Sequence, residues 1–495
     1  MNTFAKFLVL FSFITTVSYS ATYYVAVSGN NSNNGLSTLN AFATLQYASG
    51  KVVAGDSVIV LPGKYKGFYH TTSGNAVNPI VFLAQPGVLI NSPNATTNDG
   101  INLEGAAYVI IEGFKVYGIP RAGIRSVLND HVIIRKNVCD SNRYWGILTG
   151  FSDDILIEGN ECSRSVIEHG IYFSNSADRP VIRNNISWGN NANGIHMNGD
   201  ISLGGDGIIS NALVENNVIY ENGKNGGSGI NCDGVQSSRF QNNLLYNNHA
   251  SGISLYMIDG GDGSKNNVVV NNTIVQASDG RWAINISDGS TGNTVFNNIL
   301  YHSHSFRGSI SIDAASLTGF TSNYNVTTDK LSNDGGNTNM SLASWRTNTG
   351  QDQNSLIASP TQLFVNAAAY NYHLSGTSPA LNKGNPSLAS NSAPAKDIEG
   401  NARPQNSIYD IGAYEYKTPT GIPEYESPAK SFSLFSELSD EHIVFLYDML
   451  GRDIFSGTKT HALQLMESRP AQVFICRFFS EKAGADICGN ISMLH

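Results

Sequence analysis

A small residue followed by isoleucine returns at near-constant intervals through the middle of the chain, and this recurrence restricts the fold more than any other property. The small residues are Gly100, Gly123, Gly146, Gly170, Gly194, Gly229, Gly252 and Ala283, with steps of 23, 23, 24, 24, 35, 23 and 31 residues. Each unit continues through a β-branched run, such as Ile155 to Ile157, and then meets an asparagine: Asn137, Asn160, Asn185, Asn217, Asn243, Asn272 and Asn298. A second polar column follows at Asn142, Ser165, Asn190, Asn222 and Asn248. Short alternating segments with no 3.6-residue period cannot be helical repeats. They fit the coils of a parallel β-helix, stacked about 4.8 Å apart so that equivalent residues form columns. Asparagine suits its turns because it tolerates left-handed backbone and its amide can bond to the amides above and below. The asparagine columns are therefore read as structural.

Two further columns support this register. The position two before each turn asparagine reads Arg135, Glu158, Arg183, Glu215 and Gln241, an alternation of charge suited to cross-strand pairing. Cys139 and Cys162 stack two residues after theirs; free thiols are the simple reading, and a disulfide would need favourable side-chain geometry.

The balance of 30 Lys+Arg against 39 Asp+Glu gives a net charge of −9, which disfavours a general nucleic-acid binder. Five cysteines without a CxxC pair disfavour a metal-thiolate centre. Residues 1–20, with Lys6 and the apolar run Phe7 to Phe13, read as a secretory signal peptide cleaved near Ala21. No later apolar run has spanning length, so a soluble, exported, monomeric protein with no integral membrane segment is expected. The organisation expected after the signal is an N-terminal cap with the first coils (21–99), repeats (100–327) and a closing part (328–416). A Pro-rich linker (417–430) then leads to a small β-rich domain (431–495). Its strand-like segments are His442 to Tyr447, Asp453 to Phe455 and Gln472 to Phe478.

The string Leu446-Tyr447-Asp448-Met449-Leu450-Gly451-Arg452 resembles the "YDxLGR" element of the C-terminal sorting domain of the Bacteroidetes type IX secretion system. That resemblance implies the secretion machinery as a partner. At the other end, Tyr23-Tyr24-Val25, Ser28 to Gly35, Phe42-Ala43-Thr44-Leu45-Gln46 and Gly55-Asp56-Ser57-Val58 to Tyr65 look like the start of secreted right-handed parallel β-helix proteins. Ser378-Pro379-Ala380-Leu381-Asn382, Gly400 to Pro404 and Asp410-Ile411-Gly412-Ala413-Tyr414-Glu415-Tyr416 are similar to the segment that closes such helices, with Asn382 where the family has Asp. That family includes polysaccharide lyases, some glycoside hydrolases and uronan epimerases. The fold class expected is thus all-β: a right-handed parallel β-helix with a small C-terminal β-sandwich-like domain.

In each anchor strand the isoleucine points inward and its neighbours outward. The first outward column is Asn102, Arg125, Leu148, Tyr172, His196, Asn231, Ser254, Asn285, and the second is Glu104, Val127, Gly150, Ser174, Asn198, Asp233, Tyr256, Ser287. The two long steps insert residues near Gly199 to Asn211 and Asp259 to Asn266, and such insertions gather on one face of a solenoid. A sugar-polymer groove is expected over the coils from Gly170, Gly194 and Gly229, with Asn198, Asn231 and Tyr256 as contacts. Trp145, His169, His249 and Trp282 would form its rim. For β-elimination on a uronate, Arg125 or Lys224 would neutralise the carboxylate, His196 would be the base and Tyr172 the acid. A hydrolase would instead pair Asp233 with Asp200, Asp206 or Glu168, and Ca²⁺ could bind Asp200, Asp206, Asp259 and Asp262. A non-catalytic carbohydrate-binding protein would carry the same ladders.

Overall fold

The computed structural model describes residues 20–417 and, near the C-terminus, the backbone of strands within 443–492. Residues 1–19 of the signal-peptide reading (1–20), 418–430 of the linker reading (417–430) and 448–452 of the sorting-domain string lie outside the described residues. The chain divides into two units, Met1–Tyr416 and Lys417–His495.

The first unit is a parallel β-solenoid. Three sheets run its length: sheet 1, of 11 strands, carries the Gly-Ile anchors, and sheets 2 and 3 have 12 strands each. One coil contributes a strand to each sheet in turn, for example Trp145–Gly150, Leu156–Glu158 and Glu161–Ser163. The anchor isoleucines pair in register, Ile101 with Ile124, Ile147, Ile171, Ile195, Ile230, Ile253, Ile284 and then Ile310. All are fully buried. The anchor must be small because a Cβ on Gly146 would meet the Gly170 carbonyl oxygen at 2.6 Å and Cys162 Cβ at 3.0 Å.

The asparagine ladder forms as the repeat demands. The Nδ2 group of Asn137 donates to Asn160 Oδ1 (3.0 Å), and the chain continues through Asn185, Asn217, Asn243, Asn272 and Asn298 to Asn325 at 2.9 to 3.1 Å. Each Oδ1 also accepts the backbone N–H of the asparagine before it, as Asn185 does from Asn160 at 2.9 Å. One part of the expectation changes: the left-handed residue is the one preceding each ladder asparagine. Lys136, Gly159, Asn184, Asn216, Asn242, Asn271 and Asn297 have φ between 52° and 63°. The ladder asparagine is selected for its amide, and its predecessor makes the bend.

The charge column pairs as Arg135 with Glu112 (2.6 Å) and Arg183 with Glu158 (2.7 Å), while Gln241 donates to Glu215 at 2.7 Å. Cys139 and Cys162 are register partners, buried and unbonded, and burial raises the Cys162 thiol well above its ordinary range. Helix α1, Leu342–Thr349, closes the C-terminal end of the core with the fully buried Trp345, whose indole donates to Asp352 at 3.0 Å. The chain then returns along the coils. Asn271 Nδ2 donates to the carbonyls of Asp410 and Gly412 (both 3.1 Å), and a buried Arg403–Glu415 pair (3.0 Å) ties down the closing segment. The second unit contains an antiparallel sheet of four strands in the order Asp453–Thr458, Ile443–Tyr447, Val473–Ser480, Ala485–Ser492. The last of these strands was not among the expected ones.

Candidate functional site

The outward columns of sheet 1 stand in the expected register, Arg125 opposite Leu148, Tyr172 opposite His196, and Asn198 opposite Asp233. What the side chains do along this face differs sharply from one end to the other.

Over the coils of Gly146 to Gly194 the side chains satisfy one another. Tyr172 lies between two rings, with Trp145 at 5.6 Å and His196 at 5.1 Å, both stacked. The Trp145 indole donates to Glu168 (2.8 Å), and burial raises the Glu168 carboxyl. The Asn193 N–H donates to His169 Nδ1 (3.3 Å), which places the His169 proton on Nε2. That nitrogen faces His196 Nδ1 at 3.0 Å, so His196 accepts there and carries its own proton on Nε2, which is buried without a partner. Burial holds His196 down at about 3 and His169 well below the usual imidazole range. A general base needs an accessible lone pair and a pKa near the working pH. The expectation of His196 as the base is therefore corrected: its one free lone pair is taken by His169, and its affinity for a proton is low.

Other expected site residues are also committed. Arg125 Nη1 donates to Asn102 and Glu104, both at 2.8 Å, and lies three rungs, about 14 Å, from His196. It is not part of one site with that residue. Asp233 is only 1 % exposed, and its carboxylate accepts the N–H groups of Ile258 (2.9 Å), Asp259 (2.8 Å) and Gly260 (3.0 Å). It anchors the second inserted loop, which corrects its reading as a catalytic carboxylate. The first inserted loop joins the second through Ile201 N–H to Asp259 O (3.0 Å) and Gly261 N–H to Gly207 O (2.9 Å). Tyr172 accepts from Asn198 Nδ2 (3.3 Å), and burial pushes its phenol up to about 12. Lys224 is exposed, and His249 pairs with Asp279 (2.9 Å).

The four aspartates proposed for Ca²⁺ do not converge. Asp200 caps Ser202 N–H (2.9 Å), Asp206 caps Ile208 N–H (2.9 Å), and Asp262 pairs with Lys265 (2.6 Å). Among the described residues one set of three ligand-type side chains lies close together, Asp130, His131 and Asp154, and Arg179 pairs with Asp154 at 2.8 Å. A Ca²⁺ ion takes six to eight oxygens, and Asp200, Asp206, Asp259 and Asp262 do not form such a set.

The hollow shares only the Gly229 coil with the expected place and extends three coils further toward the C-terminus. It has a volume of about 480 Å³ and runs over the coils of Gly229, Gly252, Ala283 and the next one. Its floor is the outward columns Asn231, Ser254 and Asn285 with Tyr256 and Ser287, and its rim holds Arg281, Trp282 and Arg307. Its lining includes the small residues Gly227, Ser228 and Ser251. Asn231 Nδ2 donates to the Tyr256 hydroxyl (2.8 Å), while Ser228 Oγ holds Asn231 Oδ1 (3.0 Å) and contacts Ser254 Oγ (2.9 Å). Burial raises the Tyr256 phenol, so it is neutral and its own proton has no acceptor among the described residues.

Asn231, Tyr256 and Trp282 were expected at the site; Arg281, Arg307 and Asp288 were not. A signal for them existed in the sequence. Ser309-Ile310-Ser311-Ile312 is the next anchor strand, 26 residues after Ala283, with serine in place of glycine. Once it is recognised, Arg281 and Arg307 fall at the same position of consecutive coils, three before the anchor isoleucine.

A family model described as "Right handed beta helix region" matches residues 99–226 and 146–329. Among known structures, that of pectate lyase Pel9A aligns with 81 % of this chain and 98 % of its own, at 17 % identity and a TM-score of 0.54. An alginate lyase from Paenibacillus sp. str. FPU-7 aligns with 51 % of this chain and 90 % of its own, at 22 % identity and a TM-score of 0.44. PfbA, a surface adhesin of Streptococcus pneumoniae, aligns with 58 % and 83 %, at 10 % identity and a TM-score of 0.44. No curated protein sequence matches the chain. Likeness at these identities concerns the fold alone.

Proposed function

We propose that the protein is an exported lyase that cleaves a uronate-containing polysaccharide by β-elimination in the groove over Asn231, Ser254 and Asn285. The observation that carries this reading is the arginine pair. Arg281 and Arg307 occupy equivalent positions about 4.8 Å apart along the coil axis, and neither has a carboxylate partner among the described residues. Like charges on neighbouring rungs oppose folding by roughly 0.2 to 1 kcal/mol. Two guanidinium groups beside a polar groove suit an anionic ligand, and their fork geometry matches a carboxylate.

In the elimination, Arg281 and Arg307 neutralise the uronate carboxylate and so acidify the C5 proton. A base takes that proton, the C5–H electron pair forms the C4=C5 double bond, the C4–O bond breaks, and an acid protonates the leaving oxygen. Tyr256 is the acid: its phenol is neutral, Asn231 fixes its oxygen, and its proton is free. Asp288, the one carboxylate lining the groove, is the proton acceptor. A hydrolase would need two carboxyl groups about 5 to 9.5 Å apart, and this lining supplies one. Export rests on the signal-peptide pattern and the sorting-domain resemblance; no helix among the described residues is long and apolar enough to cross a membrane.

Incubation with polygalacturonate, polymannuronate and polyguluronate tests the reading. Lysis yields the ultraviolet absorbance of an unsaturated uronate end. Reducing ends without that absorbance would mean hydrolysis, and binding without products would mean a carbohydrate-binding protein.

A further inference from the structure

The groove has a wall across one end. After the last strand of sheet 1, Leu331–Ser332, the chain turns through residues 333–338 against the outward face and returns to Leu331, which exchanges backbone hydrogen bonds with Met340 (3.0 and 2.8 Å). At one edge of the sheet Gly335 N–H donates to Ile312 O (3.1 Å). The next residue, Gly336, sits against Trp282 over the middle of the strand, so closely that a Cβ on it would meet the indole Nε1 at 2.8 Å and Ser311 Oγ at 3.2 Å. The turn thus lies over Ser311, which has no exposed surface although it belongs to the outward column, and Gly335 and Gly336 line this end of the hollow. Asp334 holds the turn: its carboxylate accepts from Ser332 Oγ (2.7 Å), Asn337 N–H (3.0 Å), Thr338 N–H (3.0 Å) and Thr338 Oγ1 (2.6 Å).

From this closure we infer that the enzyme works from chain ends, holding the terminal sugars of the polymer against the Ser311–Gly336 wall and releasing short products. The inference rests on the lyase reading above, which sets Tyr256 at the scissile bond. The rung of Tyr256 lies two steps from that of Ser311, roughly 10 Å, which leaves room for about two sugar residues between bond and wall. Away from the wall the outward face continues over the rungs of His196 and Tyr172, and a polymer bound against the wall would extend that way. An internal segment of a long chain would have to pass through the turn.

The product profile tests this. With a homopolymeric uronan, products about two residues long should appear from the first turnovers, and viscosity should fall only in proportion to product released. Early long oligomers with a collapse in viscosity would overturn the inference while leaving the lyase reading intact. Asp334→Ala, which loosens the turn without touching the groove floor, should shift the products to longer oligomers; an unchanged profile would count against the wall as the length-setting element. Binding gives a readout independent of turnover: uronan oligomers with both ends coupled to a bulky fluorophore should bind at least tenfold more weakly than free oligomers. Equal affinity overturns end recognition. Absence of both binding and cleavage on every uronan overturns the lyase reading and this inference with it.

Discussion

The two halves of the sheet 1 face share one backbone register and one alternation of inward and outward residues, yet they use their polar groups in opposite ways. Over the N-terminal rungs Arg121 is held by Asp99, Arg125 by Asn102 and Glu104, Trp145 by Glu168, and His196 by His169 and the ring of Tyr172. Over the C-terminal rungs Arg281 and Arg307 repeat one charge on consecutive coils without a carboxylate partner among the described residues, Arg307 Nη1 donating only to the Gly280 carbonyl (3.0 Å), and Tyr256 keeps a free proton beside a hollow. The richer cluster of chemically interesting residues is the closed one. A ladder that satisfies itself has little left for a ligand, and the proposed site lies where the pairing rule is broken.

If this contrast is right, substitutions should separate the halves. The largest effect is expected from Tyr256→Phe, which removes the proton donor and the acceptor of Asn231 Nδ2: turnover on a uronan should fall about 10³-fold, or about 4 kcal/mol of barrier, with stability lower by about 1 to 2 kcal/mol. A loss below tenfold would remove Tyr256 from the acid role. Next comes the ladder that both halves depend on. Asn185→Leu removes the acceptor of Asn160 N–H and Nδ2 and the donor to Ile157 O and Asn217, so buried groups are left unpaired. On the order of 3 kcal/mol of stability should be lost, seen as a lower urea midpoint. An unchanged midpoint would mean that the ladder can repack.

Arg281→Ala and Arg307→Ala should each lower kcat/KM by about 30-fold, roughly 2 kcal/mol, and the double variant by less than the product of the two if both grip one carboxylate. Arg125→Ala, in the closed half, should leave kcat/KM within threefold. A larger loss from Arg125→Ala than from Arg307→Ala would move the site back toward the N-terminal rungs.

How much of this was legible follows from which interactions repeat. The coil length, the inward isoleucines, the asparagine ladder and both outward columns could be read because each residue's role recurs every turn, and one misassigned rung would have flipped every side chain to the wrong face. The left-handed position was misplaced by one residue because Lys136, Gly159 and Asn184 share a conformation and not a side-chain type. The sequence reading centred the groove on more N-terminal rungs than the proposed site occupies, because residue type does not reveal partnership. His196, Arg125 and Asp233 look reactive in a string of letters, and only their neighbours in space show them to be occupied. Arg281 and Arg307 were missed because the repeat was followed to Ala283 and not to Ser309, where serine does the work of glycine.

Acidification should act on the core and the closed half together. Burial lowers His70 to about 4, His196 to about 3 and His302 to about 4, all below the ordinary 6.5. The unfolded chain binds protons at these histidines near pH 6.5 and the folded chain does not, so their contribution to stability is intact above pH 6.5 and is lost as pH falls toward 4. The melting temperature should therefore drop between pH 7 and pH 4.5. His70→Gln should flatten that slope; a slope that is the same in the variant would mean that other groups carry it.

The smallest expected effect is the most informative about the comparison. His196 was the natural candidate for a general base, being an outward histidine beside a tyrosine in a β-helix face. Its geometry says otherwise, since Nδ1 is committed to His169, Nε2 carries the proton and is buried, and burial disfavours the charged form that a base must reach after taking a proton. His196→Gln keeps a polar side chain of similar length in the ladder while removing the imidazole. Turnover on a uronan should stay within about threefold of the wild type, and the pH dependence of kcat/KM should keep its shape, because a residue that is not the base contributes no ionisation to that profile. A loss near 10²-fold together with a missing acidic limb in the pH profile would show that the histidine pair rearranges when substrate binds. In that event the N-terminal half is the catalytic one, and the arginine groove beside it serves only to hold the chain.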